Sequence, residues 1–95
     1  MVTYKVKKSA IEDAKMLVRE FVEQIKLNEE DTLMYRALQH SDDPSVFVHY
    51  MTFEDEYGEK QHRNSNYTAE FTEELQALCD EQPKFIDLKR IAFYD

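Results

Sequence analysis

A chain of 95 residues carrying a net charge of −8 is the length of one small domain, whose interior is thin enough that a second copy would help to cover it. Its apolar share of 42% is too high for a disordered chain, and its acidity argues against nucleic acid and anionic membranes, which are bound by lysine and arginine displacing counterions. A single cysteine, Cys79, excludes an intrachain disulfide and suits a reducing cytosol.

Val2 to Lys7 alternates Val2, Tyr4 and Val6 against Thr3, Lys5 and Lys7. A period of two with β-branched and aromatic residues on one face predicts a strand. Ser9 and Glu12 have the spacing of a capping box opening a helix. That helix carries Ile11, Ala14, Leu17, Val18, Phe21, Val22 and Ile25 as one apolar stripe and runs to about Leu27. Asn28 to Asp31 reads as a polar turn. Thr32 to Gln39 is the second predicted strand, and the cluster from His40 to Ser45 is a hairpin turn.

Val46 to Phe53 is the third strand. It shows Val46, Val48, Tyr50 and Thr52 on one face and Phe47, His49, Met51 and Phe53 on the other. Both faces are largely apolar, so both should be covered. Glu54 to His62 predicts a short helix weakened by Gly58. A longer helix from about Ser65 to Asp80 follows, with Tyr67, Phe71, Leu75 and Leu78 as its stripe and Ser65 as its N-cap. Gln82-Pro83 ends it. Phe85 to Tyr94 is the last predicted strand, with Phe85, Ile91 and Phe93 on one face. No apolar run reaches the length of a signal-peptide core or a membrane span.

The order is β-α-β-β-α-β, which predicts an α+β, ferredoxin-like fold with a four-stranded antiparallel sheet. Two helices cover one face of such a sheet. The other face still carries apolar residues, so a homodimer packed sheet to sheet is expected. Six tyrosines and six phenylalanines fit such an interface or an aromatic-lined cavity.

The stretch from Phe47 to Phe71 resembles the antibiotic biosynthesis monooxygenase family, whose members are dimeric α/β-barrels. That family shows an aromatic-rich third strand ending in Glu-x-Trp, an acidic or small turn, a His nine residues past the Trp, then a Ser or Thr and an aromatic helix. Here the strand ends Met51-Thr52-Phe53, Glu54-Asp55 makes the turn, His62 stands nine residues past Phe53, Ser65 follows, and Tyr67 and Phe71 continue the helix. Met51 occupies the family's carboxylate position and Phe53 its Trp position. The resemblance implies a single domain over residues 1–95. It also implies a cofactor-independent monooxygenase acting on a small aromatic or quinol-type substrate in the cytoplasm. The alternative is a non-catalytic barrel of the same fold that binds a small ligand or only assembles.

His62 is the expected general base, because imidazole can take a proton from a phenol or enol near working pH. A structural hydrogen bond at a helix end is the plainer role for such a histidine. His49 is expected to assist if its strand face turns toward the helices; a histidine satisfied by a neighbouring tyrosine is its plainer role. Phe53, Tyr57, Tyr67, Met51 and Ser65 are the expected substrate contacts, and core packing and capping are the plain alternatives. His40, His49 and His62 lie on three different elements, so no metal is expected. With no tryptophan in the chain and no Asn on the first strand, the haem-degrading branch of the family is not matched, and no cofactor is expected.

Overall fold

A computed structural model describes residues 1–92 and 94 of the chain. Strand β1 (Val2–Val6) is followed by a 3₁₀ turn (Lys8–Ala10), helix α1 (Ile11–Asn28), strands β2 (Thr32–Gln39) and β3 (Val46–Phe53), helices α2 (Glu56–Asn64) and α3 (Asn66–Leu78), and strand β4 (Cys79–Phe85). The sheet order is β2-β3-β1-β4 with every neighbour antiparallel. This is the α+β ferredoxin-like arrangement, with the second helical segment broken into α2 and α3.

Alternation along β1 and β3 decides which face is covered. Tyr4, Val6, Phe47 and His49 are buried beneath the helices, while Tyr50 points to the opposite face, as its parity predicts. The stripe of α1 buries Ala14, Val18, Phe21 and Ile25 and meets Phe71 and Leu75 of α3. Phe21 and Phe71 stack with centroids 4.0 Å apart. Across the sheet, Tyr4 pairs with Phe47 and their rings lie nearly parallel, centroids 5.5 Å apart. These contacts fuse the two helices and the two central strands into one apolar layer, at whose end both histidines sit.

Two expectations fail in instructive ways. Ser9 does not cap α1: a 3₁₀ turn intervenes, and Ala10 stands at the N-cap without a side-chain bond. The last strand is Cys79–Phe85 rather than 85–94. Its polar residues belong to an edge strand, where Pro83, lacking an N–H, falls beside irregular pairing with β1. The apolar residues expected to form that strand are instead exposed, Ile91 and Leu88 among them; Phe93 lies outside the described residues. In β2 a register shift lies between Thr32 and Met34; Leu33 is exposed, while Tyr35 and Ala37 pack against the core. Opposite them, Met34, Arg36 and Leu38 pair with Thr52, Tyr50 and Val48, and among the described residues no segment is layered over that outer face to bury Tyr50 or Leu38.

Candidate active site

His62 lies in the last turn of α2 and is buried, 8% exposed. Two caps place it. Asp55 accepts a bond from the Gly58 amide at 2.9 Å and starts α2. Ser65 ends α2 and opens α3, its hydroxyl accepting from the Thr68 amide as predicted and donating to the His62 carbonyl at 2.8 Å. The imidazole is ringed by Phe53 of β3, Tyr35 of β2 and Phe21 of α1, with centroids 5.5, 5.6 and 5.7 Å away.

One nitrogen of that ring is occupied. Nδ1 lies 3.0 and 2.9 Å from the two carboxylate oxygens of Glu29, whose side chain is itself only 7% exposed. The same carboxylate accepts from the hydroxyls of Tyr67 and Thr32. Nε2 has no protein partner. Among the described residues no sealed side-chain nitrogen or oxygen lacks one, so Nε2 is not fully sealed and keeps some contact with solvent.

His49 is built differently. It is 1% exposed, with Nε2 2.8 Å from the Tyr4 hydroxyl and Nδ1 2.7 Å from the Tyr35 hydroxyl. Burial, and then the positive charge His62 can carry, pull its pKa down to about 4. It therefore stays neutral at ordinary pH, with one nitrogen donating and the other accepting. Burial also pushes both tyrosine hydroxyls well above the usual phenol range. Tyr35 stands between the two histidines, its ring against both. The inner strand face does turn toward the helices. The space between the histidines, however, is filled by the rings of Tyr35, Phe21 and Phe71 rather than left as a shared cavity.

An open cleft of about 570 Å³ lies beside this cluster and is lined by Glu29, Tyr57, Lys60, Asn64, Ser65 and Tyr67, among others. Of the residues expected to contact substrate, Tyr57, Tyr67 and Ser65 therefore share one wall. Phe53 faces His62 directly. Met51 is half-buried, paired with Tyr35 across the sheet. Burial and the Glu29 contact push Tyr67 up to about 12, so its hydroxyl remains a donor. His40 is remote in function, accepting the Asp42 and Asp43 amides in the β2–β3 turn. Among the described residues no three His, Cys, Asp or Glu side chains gather as a metal site would require.

Glu29 is the residue that sequence reading passes over, as one acid in a polar turn. A signal was present. It sits at the C-cap of α1, where the helix dipole disfavours a carboxylate, so its placement calls for a compensating partner.

The model of the family described as antibiotic biosynthesis monooxygenase matches residues 1–79, which include Glu29, His49, His62 and Tyr67. No curated protein matches. Solved structures share the fold. One, named an antibiotic biosynthesis monooxygenase, is 20% identical with a TM-score of 0.87, over 96% of this chain and 95% of its own. A protein from Pseudomonas aeruginosa is 22% identical with a TM-score of 0.84, over 96% and 90%. A protein from Nitrosomonas europaea carrying the same family name is 24% identical with a TM-score of 0.80, over 87% and 79%. No helix among the described residues is long and apolar enough to cross a membrane.

Proposed function

The chain belongs to the antibiotic biosynthesis monooxygenase family, and on that premise we propose that its residues 1–95 form one domain that oxygenates a small aromatic or quinol-type substrate without a cofactor, with His62 as general base. The observation that carries this reading is the unshared Nε2 of a histidine otherwise enclosed by aromatic rings. A phenol or enol placed against Nε2 gives up its proton there. The resulting anion is electron-rich enough to react with dioxygen. For an anthrone-type substrate the balance closes within the pair: one oxygen atom becomes the new ring carbonyl, and the other leaves as water with the two hydrogens of the ring CH₂.

Phe53 and Met51 supply the apolar wall for the ring on the strand side. Tyr57, Tyr67 and Ser65 are the proposed contacts on the cleft side. His49, with both nitrogens taken by tyrosines, assists by holding Tyr35 against His62 rather than by moving a proton. The working unit in this proposal is a homodimer formed through the outer sheet face, which carries Val48, Tyr50 and Leu38, in the cytoplasm.

Oxygen uptake with a panel of hydroquinones and anthrone-type phenols tests the reaction. Wild type is expected to turn over at least one of them, and His62→Ala to lose about 10²- to 10⁴-fold in kcat, the usual contribution of a general base. Equal rates in the two proteins would remove His62 from the mechanism. One observation favours a second reading, a non-catalytic barrel: apolar Met51 and Phe53 occupy the strand end beside His62. Ligand binding without oxygen uptake across the panel would select it.

A further inference from the structure

We infer that Glu29, held by Tyr67 and Thr32, is a positioning residue that fixes the neutral His62 ring as its Nδ1–H tautomer and so makes Nε2 the only basic atom of the pair. The inference rests on the reading of His62 as base, and it adds what that reading lacks, a reason why the open nitrogen carries the lone pair.

An ionised carboxylate accepts hydrogen bonds and donates none. Both Glu29 oxygens lie within 3.0 Å of Nδ1, so the proton on a neutral ring must sit on Nδ1. Left to itself, a histidine side chain prefers the proton on Nε2. The carboxylate reverses that preference, and the reversal matters because the two nitrogens point away from each other. With the proton on Nε2, the open side would present a donor and no base. The same carboxylate lies close to the imidazolium that forms when Nε2 takes a proton, and its attraction stabilises that charge.

The clamp behind Glu29 is itself complete. The Tyr67 hydroxyl bonds one carboxylate oxygen and the Thr32 hydroxyl the other. The carboxylate is thus aimed from three elements, the α1 C-terminus, the start of β2 and the first turn of α3. It also lines the open cleft.

Long-range proton–nitrogen correlation on histidine-labelled protein, at a pH where the ring is neutral, reads the tautomer directly, with the His62→Ala spectrum giving the assignment. Wild type is expected to show a protonated Nδ1 and an unprotonated Nε2 at His62. Glu29→Ala is expected to move the proton to Nε2, and Glu29→Asp to keep it on Nδ1. Nε2–H in the wild type, or no change in Glu29→Ala, overturns the inference. Where the alanine variant is too unstable to record, the wild-type ring alone decides. With a substrate in hand, Glu29→Ala should lose roughly 10- to 100-fold in kcat, less than loss of the base itself, and Glu29→Asp should recover part of it. The two claims separate cleanly. The expected tautomer with no oxygen uptake retains the clamp and removes the reaction, whereas activity with the opposite tautomer does the reverse.

Discussion

Burial keeps His49 uncharged, and that has a consequence for stability. Its pKa falls from the ordinary 6.5 to about 4 in the folded chain. Unfolded chains therefore bind a proton at His49 below pH 6.5 that the native state refuses until about pH 4, so stability is full above that window and declines as pH falls through it. The loss is about 3 kcal/mol across the window by linkage. Denaturant unfolding at a series of pH values should show this slope in wild type and a flatter one in His49→Phe; parallel slopes would contradict it. His62, by contrast, keeps one nitrogen open and one on a carboxylate. His62 was singled out through the family resemblance, by its place nine residues past Phe53. The Glu29 that aims it was not, because a contact between the end of α1 and the end of α2 leaves no periodicity in either segment. Parity placed His49 on one strand face with Phe47, and both are buried. The hydrogen bond between His49 and Tyr35 across β2 and β3 depends on the pairing register of the two strands, which alternation alone does not reveal.

Helix α2 is the element on which the site depends. It packs so close to the start of β2 that a Cβ on Gly58 would stand 2.7 Å from the Asp31 Cβ and 3.2 Å from its carbonyl oxygen. The sequence makes Gly58 look like a weakness in a short helix; the packing explains it as the residue that lets α2 approach. Gly58→Ala is therefore expected to destabilise by roughly 1–3 kcal/mol, overlap outweighing the helix propensity gained, and to disturb the His62–Glu29 contact. Thermal unfolding and the His62 ring signals check both; a stabilised variant with unchanged signals would contradict the packing argument. Ser65→Ala should cost about 1 kcal/mol as a lost cap. Strands β2 and β3 were readable to the residue because each is a run rich in aliphatic and aromatic residues bounded by polar turns. Strand β4 was missed because an edge strand needs only one buried side chain, here Cys79, and its Asp80, Glu81, Gln82 and Pro83 have the composition of a helix end and a turn.

Among the described residues the sheet has one covered face and one open one, with Tyr50 and Leu38 exposed on the latter, and the small core of a 95-residue chain leaves little surplus to keep that face apolar for no purpose. The proposed dimer predicts a solution mass twice the 11.4 kDa of the chain at micromolar concentration, shifted toward monomer by Tyr50→Lys, which places a charge in the middle of the interface. A wild-type monomer at that concentration would remove the sheet-packing account while leaving the His62 site untouched. The central claim is that the open nitrogen of His62 acts as a base rather than as a prop for the fold, and chemical rescue tests it most directly. Oxygen uptake by His62→Ala should be low with a phenol that wild type oxidises, and should rise with millimolar free imidazole added to the assay. Undiminished uptake in His62→Ala, or a loss that imidazole leaves unchanged in a folded variant, would contradict the account.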